Sequence, residues 1–256
     1  MSDLEVQPVG EPVAAAAGLS QLQRVTNIFS APSKTFEDIK RGNKSWWMPM
    51  IAIVVVTYAL FGAITLKVGW PQVAENTIHM DAKADERMAQ MPADQRAVSM
   101  KFTAYIIEGI FAASPLFVLA VLALGSLILW GTINFVFGGK ASFANIFVVW
   151  IYAGLPGLIK SLLGIVVLFA GGAPESFNLG NFAPTSVGAF LNPLETNAAL
   201  YKLATQLDFT SIWSLVLLGI GLSIVAGVKR SSGYIAVFGW WALILLVSVG
   251  WTAVMG

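Results

Sequence analysis

The sequence contains no cysteine and a single histidine, and charged residues make up only 11% of its 256 residues. The lack of cysteine excludes disulfide bonds, thiolate catalysis and Cys-ligated zinc or iron–sulfur sites. The net charge is +1, so no basic excess attracts nucleic acid. Soluble domains carry roughly a quarter charged residues, and this chain has too few to cover a surface that faces water. These shortages indicate a membrane protein without a nucleic-acid partner.

Long apolar runs are what the chain has instead. Hydrophobic residues make up 57% of the sequence, and the mean hydropathy is +0.74. A helix of about 20 apolar residues crosses the hydrocarbon core of a bilayer. The runs that meet this length, and that we predict as spans, are residues 47–66, 108–137, 145–170, 209–228 and 234–254. We therefore predict an all-α polytopic membrane bundle of five transmembrane helices within residues 46–256.

The distribution of Lys and Arg predicts the orientation. Positive residues accumulate in short cytoplasmic loops and beside span ends. With the N-terminus in the cytoplasm, the residues in such places are Lys40, Arg41, Lys44, Lys140, Lys229 and Arg230. The longer loops, residues 67–106 and 171–208, then lie outside. We expect an N-in/C-out topology.

The segment before the first span has two parts. Residues 1–18 are predicted to be a disordered cytoplasmic tail, and they lack a cleavable signal, so residues 47–66 are expected to act as an uncleaved anchor. Residues 19–45 have apolar residues at helical spacing and the basic residues Lys34, Lys40, Arg41 and Lys44. This pattern predicts an amphipathic segment at the cytoplasmic interface, either against anionic lipid headgroups or as an anchor for the start of the first span.

Two charged residues fall inside the predicted spans. Lys160 lies in the third span and Glu108 near the outer end of the second. A charge inside a bilayer is costly unless it is paired, hydrated or able to reach the interface. An ion pair between Glu108 and Lys160 would satisfy both residues. Lys160 could instead extend to the interface, so both readings stay open.

A functional reading of Lys160 depends on a predicted break in the third span. Gly154, Pro156 and Gly157 should interrupt this helix. A water-filled cavity at the break would let Lys160 bind an anionic headgroup or solute. Asn134 is the other polar candidate within the spans, and we expect it to form an interhelical hydrogen bond.

Small residues predict where helices pack closely. Gly219, Ser223 and Gly227 recur at every fourth position of the fourth span. The fifth span, through Gly239 and Ser248 or through its bulkier face, is the expected partner because the connecting loop is short. A second copy of the chain is the alternative.

Catalytic and metal-binding motifs are missing. The sequence has no phosphate-binding glycine loop, no HExxH and no Ser/His/Asp set. His79 and Asp81 lie close in sequence, but scattered carboxylates around one histidine are typical of a solvated loop. We expect no enzyme activity, no metal site and no cofactor.

Three segments resemble the bacterial branch of the Yip family. They are Pro32-Ser33-Lys34-Thr35-Phe36, Trp46-Trp47-Met48-Pro49 and Tyr152-Ala153-Gly154-Leu155-Pro156. With the five spans, the resemblance covers roughly residues 25–254. It implies a multi-pass protein of the bacterial inner membrane. Eukaryotic members are partners of Rab-type GTPases, but their Asp-Leu-x-Gly-Pro type motif is replaced here by Asn27-Ile28-Phe29-Ser30-Ala31-Pro32, which argues against a GTPase-binding role.

Two functions follow from these features. The first is a non-catalytic membrane scaffold or adaptor that contacts the lipid bilayer, partner membrane proteins or a second copy of itself. The second is a small transporter or channel with a polar pathway around Lys160.

Overall fold

The computed structural model describes residues 18–255, with Met255 described by its backbone alone. The predicted disordered tail therefore lies outside the described residues, apart from Gly18. The described chain is all-helical and has no strands, so the predicted fold class is confirmed. The helices are α1 Gln21–Ser30, α2 Pro32–Lys40, α3 Trp47–Lys67, α4 Trp70–His79, α5 Ala82–Ala89, α6 Ala93–Ala112, α7 Ser114–Gly131, α8 Phe143–Ala153, α9 Gly157–Phe169, α10 Ala198–Gln206, α11 Phe209–Ala226 and α12 Arg230–Met255.

Five segments of the described chain are long and apolar enough to cross a membrane. They are Trp47–Lys67, Ser114–Val136, Phe143–Phe169, Phe209–Ala226 and Arg230–Val254. The second is shorter than the predicted 108–137, because α6 ends at Ala112 and a separate helix starts at Ser114. Pro115 lies in the first turn of α7, where a missing backbone N–H costs nothing. The bend leaves Glu108 in α6, outside the span.

The amphipathic N-terminal segment is part of the bundle. It forms α1 and α2, and the side chains of Ile28, Phe36 and Ile39 are fully buried. Gly221 of α11 makes room for Phe36, whose ring would be 3.0 Å from a Cβ at that position. The apolar side of this segment therefore packs against protein, while its lysines and Arg41 stay exposed. A helical apolar stripe does not by itself distinguish lipid from protein as its partner.

One end of the bundle, here called the basic end, joins α2, α11 and α12. The Lys140 amide donates to the Ala226 carbonyl at 3.0 Å. Arg230 Nη2 donates to Ser33 Oγ at 3.1 Å. The first bond joins the turn between the second and third spans to the end of α11, and the second holds α2 against the start of α12.

The opposite end, here called the loop end, contains residues 67–113 and 171–208. Asn76 Nδ2 donates to the Phe177 carbonyl at 2.9 Å and so ties α4 to the second long loop. The Lys67 ammonium lies 4.7 Å from the centre of the Phe169 ring, at the ends of α3 and α9. The two long loops are therefore packed on each other and on the span ends.

The third span is broken in two. Helix α8 ends at Ala153 and α9 begins at Gly157, so the interruption lies where Gly154 and Pro156 predicted it. Helix α8 packs against α7 and α11, whereas α9 packs against α3. The break therefore redirects the chain from one set of neighbours to another.

Candidate functional site

Lys160, the fourth residue of α9, forms an ion pair with Asp208, which directly precedes α11. Lys160 Nζ lies 3.1 Å from Asp208 Oδ2, and the two side chains are 21% and 1% exposed. The predicted pairing with Glu108 is wrong, because the bend at Ala113 leaves that residue in α6. Glu108 instead lies half-buried in a groove that also contains Lys101.

Asp208 is the centre of a hydrogen-bond network at the loop end. The hydroxyls of Thr185 and Thr210 each donate to its carboxylate at 2.6 Å, and the Ser211 amide donates at 3.0 Å. Burial alone would raise the pKa of Asp208. The hydrogen bonds from these three residues and from Lys160 outweigh burial and hold that pKa well below its usual range. Asp208 is therefore an anion at neutral pH, and it fastens the second long loop to α9 and α11.

Sequence reasoning missed Asp208, although one local signal was present. An aspartate one residue before an apolar helical run is typical of a helix N-cap. Asp208 has this position before Phe209, and its carboxylate accepts from the Ser211 amide as an N-cap does. The pairing with Lys160 depends on how α9 and α11 pack, and no local pattern encodes that.

A cavity of about 320 Å³ lies beside the ion pair. Lys160, Lys202, Tyr201 and Ser211 contribute to its wall, and none of its lining residues is Asp or Glu. Lys202 forms no ion pair with any residue in 18–255. The Lys160 ammonium also lies 5.4 Å from the centre of the Phe182 ring, which stabilises a cation. The chemistry of this wall suits an anion.

A second buried charge network lies beneath the first span. Arg24 is fully buried, and its Nε lies 3.5 Å from Asp38 Oδ2. Its guanidinium donates to Asn43 Oδ1 at 3.0 Å and to the Ser45 carbonyl at 2.9 Å. It also stacks 4.7 Å from the centre of the Tyr152 ring. Sequence analysis did not single out Arg24, and this network joins α1 and α2 to α8 and the start of α3.

Asn134 closes a loop at the basic end. Its Nδ2 donates to the Ala141 carbonyl and its Oδ1 accepts from the Ala141 amide, both at 2.9 Å. This reciprocal pair folds the turn between the second and third spans. The interhelical hydrogen bond that we expected for Asn134 is replaced by this local one.

His79 joins two helices at the loop end. Its Nδ1 lies 2.8 Å from Asp85 Oδ1, and its Nε2 lies 3.8 Å from Glu75 Oε1. Within residues 18–255, no three His, Asp or Glu side chains are arranged to hold a metal ion.

Comparison with protein-family models matches residues 26–252 to the Yip1 domain. The chain belongs to the Yip1 family. The match covers nearly the whole chain, with four candidate spans complete and the fifth up to residue 252, and it confirms the family that the sequence segments suggested. The Yip1 family is not a known family of enzymes. No curated protein and no solved structure matches the chain.

Within this Yip1 domain, the small residues of α11 pack against α12. A Cβ on Gly219 would lie 2.5 Å from Tyr234 Cδ1. A Cβ on Gly233 would overlap the Gly219 carbonyl and lie 3.0 Å from Ser223 Cβ. The fourth and fifth spans are therefore in backbone contact near the basic end, within one chain.

Other parts of the predicted packing stripe have different roles. Gly227 adopts a left-handed conformation with φ of +69° and ends α11 as a C-terminal cap. In α12, a Cβ on Gly239 would meet nothing within 4 Å, and Ser248 Oγ donates to its own helix. The fifth span is the partner, as predicted, but the contact uses Gly233 and the bulkier Tyr234, near the loop that joins the two helices, and does not use Gly239.

The basic residues of the N-terminal segment surround the basic end of the Yip1 domain. Lys34, Lys40, Arg41 and Lys44 are all exposed. Among residues 18–255, Arg41 is the only one of these four with an ion-pair partner, Glu37 at 4.0 Å, and both side chains are more than half exposed. These four residues, here called the basic patch, present positive charge next to the membrane-spanning helices.

Proposed function

We propose that this chain is a non-catalytic scaffold or adaptor of the Yip type in the bacterial inner membrane. Its N-terminus lies in the cytoplasm, its C-terminus outside, and its surface contacts lipids and partner membrane proteins. The observation that carries this proposal is the contrast between interior and surface. The buried charges Arg24 and Lys160 are matched by Asp38 and Asp208, whereas the exposed surface is apolar along the spans and basic at one end.

The apolar surface is unusually open on two spans. Only 17% of the residues in the most apolar stretch of the second span and 11% of those in the fifth are buried, against 50% in the fourth. The second and fifth spans therefore present most of their surface to lipid, to another membrane protein or to a second copy of the chain. A chain whose buried charges are paired, and whose apolar groups face outward, is suited to association.

The apolar surface continues onto α6. Val98, Phe102, Tyr105, Ile106 and Ile110 recur at helical spacing, and each is between 43% and 72% exposed. Helix α6 leads directly into α7, so this stripe extends the exposed face beyond the span. It provides a contact surface at the loop end.

The basic patch supports a cytoplasmic position for the basic end. Anionic lipids attract Lys and Arg next to a membrane span with about 1 kcal/mol per residue. Lys34, Lys40, Arg41 and Lys44 are free to make this contact because they are exposed. Positive residues beside a span accumulate on the cytoplasmic side, so the basic patch favours the N-in orientation.

The cavity beside Lys160 favours a second candidate, a small transporter or channel. A permeation route needs a charge that a solute can reach from both sides of the membrane. Lys160 is instead neutralised by Asp208 and covered on one side by Phe182. The scaffold is therefore the better supported function.

Cysteine labelling separates the two functions, because the chain contains no native cysteine. Gly157→Cys places a thiol one turn from Lys160 toward the basic end, at a half-buried position where a Cβ meets nothing within 4 Å. The scaffold predicts that a membrane-impermeant thiol reagent does not label it in intact or permeabilised cells. Labelling that a small anion prevents would overturn the scaffold in favour of the transporter.

Two exposed controls fix the orientation in the same experiment. Gln95→Cys lies at the start of α6, and Ser231→Cys lies in the first turn of α12. The proposed topology predicts labelling of Gln95→Cys in intact cells, and of Ser231→Cys only after permeabilisation. The reverse pattern would invert the orientation without affecting the scaffold itself.

A further inference from the structure

Three cavities lie in a row along α12 and share residues where they meet. The first, of about 190 Å³, and the second, of about 510 Å³, are both lined by Ile244. The second and the third, which is the cavity of about 320 Å³ beside Lys160, are both lined by Lys202 and Thr252. They form one channel-like depression on the protein surface, here called the α12 groove.

The first cavity is an apolar crevice between α7 and α12. Its floor is formed by Leu215 and Leu218 of α11, and Trp150, Trp240 and Trp241 form its walls. Its lining residues are otherwise Gly125, Ile128, Leu129, Val237 and Ile244.

The crevice offers nothing to a polar solute. The indole N–H of Trp240 already donates to Thr132 Oγ1 at 2.9 Å. A side chain at Gly125 would overlap the Trp150 ring, so this glycine lets the ring fit beside α7. A helix about 10 Å wide cannot enter a space of this size, whereas a single hydrocarbon chain can. The occupant that fits is an acyl chain.

The other end of the groove provides hydrogen-bond donors and positive charge. Lys160 and Lys202 both line it, and the one nearby carboxylate, Asp208, is almost fully buried beneath Lys160. Tyr201 Oη accepts from Asn178 Nδ2 at 2.9 Å and donates its own proton to no described residue. A phosphate at this place would therefore meet the Lys202 ammonium, the Lys160 ammonium that Asp208 already contacts, and the Tyr201 hydroxyl.

The length of the groove matches one lipid leaflet. Thr252 at the polar end and Ile244 in the crevice are two turns of helix apart, about 12 Å, and Trp240 lies about 18 Å from Thr252. Half of the ~30 Å hydrocarbon core is about 15 Å. The polar end also lies at the loop end of the protein, where α12 approaches its C-terminus.

We propose that the α12 groove binds one anionic glycerophospholipid from the leaflet at the loop end. Its phosphate lies against Lys202 and Lys160, and one acyl chain lies between α7 and α12. This site deepens the proposed scaffold function, since it names a lipid that the scaffold contacts. The two lysines and the absence of a lining carboxylate make the site selective for phosphatidylglycerol over phosphatidylcholine.

The test measures lipid binding to the detergent-solubilised full chain by native mass spectrometry. Phosphatidylglycerol and phosphatidylcholine with identical acyl chains are titrated separately. We expect tighter binding of phosphatidylglycerol, and a loss of about fivefold in its affinity for Lys202→Gln, as follows from about 1 kcal/mol per lysine at a lipid headgroup. Phosphatidylcholine binding should not change.

Matched controls make each end of the site testable. Lys101→Gln removes an exposed charge at the same end of the protein but outside the groove. Ile244→Trp fills the crevice, whereas Leu246→Trp adds the same bulk to an exposed position of α12 that does not line it. Only Lys202→Gln and Ile244→Trp should weaken phosphatidylglycerol binding.

Several results would overturn the proposal. They are equal affinity for the two lipids, equal effects of Lys202→Gln and Lys101→Gln, or equal effects of Ile244→Trp and Leu246→Trp. Competition by free glycerol phosphate at the same concentration as the lipid would show a soluble anion as the ligand instead. The scaffold itself would survive each of these, because its own test is the unreactive cysteine at position 157.

Discussion

Gly219 of α11 faces Tyr234 of α12 so closely that a Cβ on the glycine would lie 2.5 Å from Tyr234 Cδ1. Real Cβ atoms do not approach other atoms to this distance, so a larger residue would force the two spans apart. Backbone contact of this kind replaces the hydrophobic effect as the force that joins helices in a bilayer. The position has a matched counterpart at Gly239, where a Cβ meets nothing within 4 Å.

Gly219→Ala should therefore destabilise the folded protein by about 2 kcal/mol, the usual cost of overpacking a tight contact. Gly239→Ala adds the same methyl group in open space and should be neutral or slightly stabilising, because alanine favours a helix. Unfolding in increasing concentrations of sodium dodecyl sulfate measures both. Equal stability of the two variants would mean that α11 and α12 are not in contact at Gly219.

Arg24 is predicted to be essential for docking the N-terminal helices. Arg24→Gln removes the positive charge that pairs with the buried Asp38, and it removes most of the hydrogen-bond donors to Asn43 and Ser45. The loss of one partner of a buried ion pair lowers the free energy of unfolding by about 3–5 kcal/mol. The exposed Lys34→Gln is the charge-matched control and should have no measurable effect. Thermal unfolding, followed by tryptophan fluorescence, checks the difference.

A double-mutant cycle tests the partner of Lys160. Lys160→Met should destabilise by about 2 kcal/mol, because Asp208 keeps its other hydrogen bonds. Combined with Asp208→Asn, the total loss should fall short of the sum by at least about 1 kcal/mol, as expected for residues in contact.

The control for this cycle pairs Lys160→Met with Glu108→Gln. Glu108 forms no ion pair with any residue between 18 and 255, so these two changes should add without coupling. Coupling to Glu108, with none to Asp208, would contradict the observed pairing.

Asp208 also predicts a specific dependence of stability on pH. Its pKa is lower in the folded than in the unfolded protein, where it is about 3.9, so its contribution is complete above that pH and is lost as the pH falls below it. The stability difference between the wild type and Asp208→Asn should be constant from pH 7 to about pH 5. Below about pH 4 it should shrink by up to about 1.4 kcal/mol per pH unit.

Melting temperatures of both proteins at several pH values provide the measurement. A difference that stays constant down to pH 3 would mean that Asp208 is not held as an anion by its neighbours. A difference that grows on acidification would reverse the sign of the pKa shift. Lys101→Gln changes an exposed residue, so its melting temperature should change with pH as that of the wild type does.

Much of the architecture follows from local patterns. The lengths of the apolar runs determined the number of spans, because the bilayer thickness sets the length of a helix that crosses it. Gly154 and Pro156 determined where the third span breaks, because proline has no amide to donate and glycine weakens a helix. The segments around Phe36, Trp47 and Tyr152, together with the five spans, resembled the family that the comparison then confirmed.

The partners of individual residues were decided only by the tertiary structure. The amphipathic stripe with Ile28 and Phe36 is the same whether it meets lipid or protein, and only the bundle shows that α11 covers it. Likewise, the sequence established only that the charge of Lys160 must be paired, hydrated or brought to the interface. An ion pair depends on the distance between two charged groups in the folded chain. The bend at Ala113 keeps Glu108 in α6, whereas the start of α11 places Asp208 next to Lys160.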